Sequence, residues 1–108
     1  IFFYNPARIN YMSRDISDFD FSQQRFNIII NTSCEHIENE KLHQWLRQTR
    51  PNTVCVLQST DKPARDHINL VKSEKELDEK FSDYFTDYKS YTLNIGEYSR
   101  YMIIGKTK

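Results

Sequence analysis

The sequence predicts an α/β domain in which parallel strands flank a helix and a terminal antiparallel hairpin closes the sheet. Three observations predict it. Two apolar runs, Asn27–Asn31 and Thr53–Ser59, are rich in β-branched residues and have strand length. Between them Glu38–Gln48 has helical period. Toward the end, two more strand-like runs meet at Gly96.

Arg8–Met12 reads as a short strand, and Ser13–Gln24 is polar and turn-like, with Asp15, Asp18 and Asp20 set among Phe19 and Phe21. In Asn27–Asn31 three consecutive isoleucines predict a strand buried on both faces, as in a parallel sheet. The helix follows from Leu42, Trp45 and Leu46, which share one face, with Ile37 just ahead. Arg47 and Arg50 suit the negative end of its dipole, and Pro51-Asn52 ends it. Thr53–Ser59 is the second buried strand, so strand, helix and strand make a βαβ unit with a right-handed crossover.

Thr60–Asp66 is a loop containing Pro63, and His67–Val71 reads as a short extended piece. Ser73 with Glu76 matches a capping box, and Leu77, Phe81 and Phe85 continue the helix as a stripe at intervals of four. Tyr88–Ile95 and Tyr98–Gly105 form the hairpin, whose last strand buries Met102-Ile103-Ile104.

At 108 residues the chain is one domain or part of one. Aromatics make up 14%, which argues against disorder. Fifteen basic and fifteen acidic residues cancel, so the overall charge points to neither a nucleic-acid nor a membrane surface. No apolar run reaches bilayer length and no signal peptide is visible, which predicts a cytoplasmic protein. The opening Ile1-Phe2-Phe3-Tyr4 reads as mid-domain sequence, and a segment upstream of it is expected.

Chemistry concentrates where the first buried strand stops. Asn31, Thr32, Ser33, Cys34, Glu35 and His36 follow the isoleucines directly, and ligands of open α/β sheets bind beyond the carboxyl ends of parallel strands. Glu35 or His36 could each serve alone as a general base. Their adjacency sends the two side chains apart, which argues against a direct dyad. Cys34 as a nucleophile would need His36 to lower its pKa. The plain alternative is a loop and helix start, with Thr32 or Ser33 satisfying backbone donors. Gln58, Ser59 and Asp61 end the second strand at the same edge, as site residues or as ordinary turn chemistry. On the last strand Tyr98 and Arg100 share a face and Tyr101 takes the other.

Cys34 and Cys55 sit in or beside apolar runs and read as reduced, buried thiols. They lack the paired spacing of a zinc site. His36 and His43 are two helical turns apart if one helix carries both, too far to share an ion, so no metal is expected. The two glycines, Gly96 and Gly105, fall well below the usual share of about 7% and exclude a glycine-rich phosphate or dinucleotide loop within these residues.

Four pieces in fixed order carry a resemblance. They are Ile30-Asn31-Thr32-Ser33-Cys34-Glu35-His36, Val56-Leu57-Gln58-Ser59, His67-Ile68-Asn69-Leu70-Val71 with Ser73, and Tyr98-Ser99-Arg100-Tyr101-Met102-Ile103-Ile104-Gly105. With them the chain resembles the C-terminal half of class I S-adenosylmethionine-dependent methyltransferases, more closely a methyltransferase-like group with an Asn-Thr-Ser-Cys-Glu-His segment. The resemblance spans nearly all of the chain and implies a partial Rossmann-like methyltransferase sheet. It implies S-adenosylmethionine as cofactor, contacted by Asp15, Ile16, Asn31 and Thr32. Asn31, Glu35 and His36 would be catalytic, and Ser33, Cys34, Gln58, Ser59, His67, Asn69 and Arg100 would face an acceptor whose identity is open.

The glycine loop that holds the cofactor's methionine end is absent. So are the first and second strands, which in that family lie between the third and the fourth. An upstream segment or a partner chain is therefore expected to complete the sheet. Two other readings stay open: a degenerate methyltransferase fold serving as a non-catalytic binding or scaffold module, and a fragment ordered only within a larger assembly.

Overall fold

A computed structural model describes residues 26–108. The Arg8–Met12 strand, the stretch 13–24, and Asp15 and Ile16 lie outside the described residues. In order come β1 (Ile28–Asn31), a 3-10 turn (Cys34–His36), α1 (Asn39–Gln48), β2 (Val54–Thr60), α2 (Glu74–Phe81), a second 3-10 turn (Ser82–Tyr84), β3 (Phe85–Asn94) and β4 (Ser99–Thr107).

The strands form one open sheet in the order β1-β2-β4-β3. β1 and β2 are parallel, from Ile28 opposite Val54 to Asn31 opposite Leu57. β4 runs antiparallel to both neighbours. The fold is thus α/β with a mixed four-stranded sheet, and the expected adjacent parallel pair and terminal hairpin are both present. Among the described residues β1 pairs only with β2. No helix among them is long and apolar enough to cross a membrane.

The core forms where alternate strand residues meet the helices. Ile29, Cys55, Leu57, Tyr101 and Ile103 pack with Leu42, Trp45 and Leu46 of α1 and Leu77 and Phe81 of α2 in one cluster. The three α1 residues are those the sequence places on one face. α2 starts at Ser73, whose hydroxyl accepts the Glu76 N–H at 3.1 Å. Glu76 reaches back to the N–H of Lys72 (2.9 Å), one residue before the cap, so the box closes in shifted form. Asn52 turns the chain after α1 with φ 64°, a left-handed conformation that asparagine tolerates. Gly96 turns the hairpin with φ 94°, closed by the Ile95 N–H on the Tyr98 carbonyl (2.9 Å).

Two expectations need correction. β1 is buried on one face only: Ile29 is in the core, while Ile28 and Ile30 are 59% and 64% exposed. Its alternation is that of a strand covered on a single side. Phe85 does not continue the α2 stripe. The helix ends at Phe81, a 3-10 turn intervenes, and Phe85 opens β3, its ring filling the space where a Cβ at Gly105 would stand. Residues 67–71 belong to the loop between β2 and α2.

Candidate functional site

The carboxyl ends of β1 and β2 lead into a polar cluster built by three segments. The first is the turn after β1. Asn31 is buried, and its Oδ1 accepts the Ser33 N–H at 2.9 Å. This local bond turns the chain off the strand and sets up the 3-10 turn at Cys34–His36. Glu35 is thereby carried inward, with its side chain only 5% exposed, while the His36 side chain is 39% exposed.

The second segment is the loop between β2 and α2. It is clipped onto the first through the Glu35 carbonyl, which accepts the N–H groups of Ile68 (2.9 Å) and Asn69 (3.0 Å). The Asn69 carboxamide extends the clip. Its Nδ2 donates to the Ile37 carbonyl (3.1 Å) and its Oδ1 accepts from Lys80 (2.7 Å). Burial lowers the Lys80 pKa. These bonds bring His67 against His36, with ring centroids 4.7 Å apart and planes at 80°.

The third segment is the start of β4. Arg100 Nη1 donates to Glu35 Oε1 at 2.9 Å and Nη2 donates to the Thr32 carbonyl at 2.7 Å. The guanidinium ties the hairpin to the turn after β1 and neutralises the buried carboxylate. Glu35 Oε2 is buried and has no hydrogen-bond partner among the described residues.

Both histidines are oriented by backbone carbonyls. His36 Nδ1 donates to the Asp66 carbonyl at 3.1 Å, with an Asp66 carboxylate oxygen 3.3 Å away. His67 Nδ1 donates to the Lys62 carbonyl at 2.5 Å. A carbonyl only accepts, so in each neutral ring the proton sits on Nδ1 and the Nε2 lone pair stays available. One carboxylate oxygen of Glu35 and one ring nitrogen from each histidine lie within 4.8 Å of one another. Glu35 Oε1 and His36 Nε2 are 3.9 Å apart. The adjacent pair converges more than its sequence spacing suggests, although it makes no hydrogen bond.

Not every candidate residue joins the cluster. Cys34 is sealed in the core, its thiol on the Asn31 carbonyl (3.8 Å). Burial, then the Glu35 charge, pushes it up to about 12, and burial takes Cys55 to about 11. Both thiols are free and buried, which disqualifies Cys34 as a nucleophile. Ser59 is buried on the core side and donates to the Asn69 carbonyl (3.5 Å), whereas Gln58 points from the other face and contacts Met102 Sδ (3.3 Å). Asp61 is structural: its carboxylate accepts from the Ser99 N–H (2.8 Å) and contacts the Tyr101 hydroxyl (3.1 Å). Thr32 and Ser33 remain exposed beside the cluster.

His43 stands apart, its ring on the Tyr84 hydroxyl at 2.6 Å, and burial lowers its pKa. The sequence weighed it as a partner for His36. The partner brought there is His67, thirty-one residues on, and no sequence signal marks Asp66 or the Lys62 carbonyl that orient the rings. Compared with known proteins, the chain matches no protein-family profile and no curated protein.

Proposed function

We propose that this chain carries the acceptor side of an S-adenosylmethionine-dependent methyltransferase site within a longer protein. One observation carries the reading. Segments far apart in sequence, including those of the methyltransferase resemblance, hydrogen-bond to one another at the carboxyl edge of the parallel pair: Arg100 on Thr32 and Glu35, and Ile68 and Asn69 on Glu35. In α/β sheets that edge is where ligands bind. The parallel pair and the antiparallel hairpin beside it suit a partial Rossmann-like sheet of that class.

The two glycines supply no loop for the cofactor's methionine end. Gly96 turns the hairpin and Gly105 faces the Phe85 ring, so neither belongs to a phosphate- or carboxylate-binding loop. Asn31 Oδ1 is committed to the Ser33 N–H. The residues present suit the acceptor instead. His36 Nε2 can accept a hydrogen bond from an acceptor N–H or O–H at the exposed rim. The Glu35–Arg100 pair holds the turn that carries it. Methyl transfer in line depends chiefly on such positioning.

Calorimetric titration with S-adenosylmethionine tests the reading. The 108-residue chain should bind weakly or not at all, and a longer native form containing a glycine loop should bind in a saturable 1:1 manner. Tight binding by the short chain, or no binding by the longer form, would refute it.

A further inference from the structure

We propose that Glu35, His36 and His67 form a mononuclear site for a divalent metal ion of zinc type. The inference goes beyond methyl transfer and does not require it. Two imidazole nitrogens and a carboxylate oxygen are a donor set that suits zinc and leaves a fourth position open.

Three features favour an ion over a mere polar cluster. The three ligand atoms already lie within 4.8 Å of one another. Tetrahedral zinc, with bonds of about 2.0–2.1 Å, places its ligand atoms roughly 3.4 Å apart. An inward swing of roughly 1 Å by two partly exposed rings closes the gap. Second, each ring is held through Nδ1 by a backbone carbonyl, and His36 also has the Asp66 carboxylate beside it. This is how metal-binding histidines are oriented and their Nε2 made more basic. Third, Glu35 Oε1 is 3.9 Å from His36 Nε2 and is held by Arg100, while the other oxygen of the same buried carboxylate, Oε2, has no partner among the described residues. A native buried polar atom of this kind calls for an explanation such as an ion.

Arg100 bears on the site from the other side. Its guanidinium holds Glu35 Oε1 and reduces the charge the carboxylate offers a cation. It also fixes the carboxylate in place, so the ion would share Glu35 with Arg100. With an ion bound, the Nε2 lone pairs would be its bonds, and the open fourth position would take water or another oxygen ligand.

Cobalt(II), as a spectroscopic stand-in for zinc, tests the site in the purified, tag-free protein. Titration should give visible absorption bands of a low-coordinate cobalt ion saturating at one equivalent, displaced by zinc. Losing a second-sphere partner typically costs 10–100-fold in metal affinity. Losing a ligand should cost about 100-fold or more, so His36→Ala and His67→Ala should each abolish the bands. His43→Ala should leave them unchanged and controls for histidine content. Glu35→Gln should weaken binding without removing both nitrogens. Circular dichroism on each variant confirms folding. The proposal is overturned if the native protein gives no saturable bands, or if folded His36→Ala and His67→Ala proteins still bind one equivalent with native affinity.

Discussion

Arg100→Ala is expected to destabilise the protein by about 3 kcal/mol, the low end of the cost of breaking a buried ion pair. The guanidinium makes two hydrogen bonds, to Glu35 Oε1 and to the Thr32 carbonyl. Without it the Glu35 carboxylate, 5% exposed, is left charged and uncompensated. The Arg100 side chain is 26% exposed, so water replaces part of the lost interaction and keeps the effect at the low end. Urea denaturation measures it. Glu35→Gln in the Arg100→Ala background should recover part of the loss, because the neutral amide removes the buried charge. A loss within the ordinary surface range, about 0–1 kcal/mol, would mean that the pair is merely a rim contact.

Phe81→Ala should cost about 3–5 kcal/mol, the range for removing a buried phenylalanine side chain. Among the described residues Phe81 is the largest core side chain with under 2% exposure. It closes α2 against the sheet, and its ring lies 5.6 Å from the His43 ring, where the two helices meet. The surrounding backbone is held by strand pairing and cannot collapse fully into the space. Thermal or urea unfolding should show the loss with little change in denaturant slope. A cost under about 1 kcal/mol would place Phe81 outside the cooperative core.

The elements were legible because their periods are strong. The spacing of Leu42, Trp45 and Leu46 placed α1, and the β-branched runs placed β1 and β2 as neighbours. What the sequence misjudged was coverage. Three isoleucines in a row look the same whether a strand is covered on one face or two, since burial of Ile28 and Ile30 depends on what packs over them. The stripe through Leu77 and Phe81 ran on to Phe85 by spacing alone, although the chain leaves the helix after Phe81 and uses Phe85 against Gly105.

At the site, the local part was legible and the long-range part was not. Asn31 to His36 stood out because polar residues abruptly follow an apolar strand. That Cys34 would be sealed inward while Glu35 met Arg100 depends on a 3-10 turn with no strong signal. The approach of His67 to His36 depends on backbone donors of Ile68 and Asn69 finding the Glu35 carbonyl, which no residue period encodes.

The central claim is that the polar cluster at the carboxyl edge of β1 and β2 is a site and not a structural clasp. The most direct measurement is methyl transfer and thermal midpoint on the longer protein proposed above and its His36→Ala variant, side by side. His36 has a 39% exposed side chain and lies beyond the buried strand, so its removal creates no core cavity. The account predicts a midpoint nearly unchanged, within about 0.5 kcal/mol of stability, and methyl transfer reduced by about 100-fold or more, as when a positioned catalytic group is lost. Full activity combined with a lowered midpoint would contradict it, and His36 would be one more strut between the turn after β1 and the loop after β2.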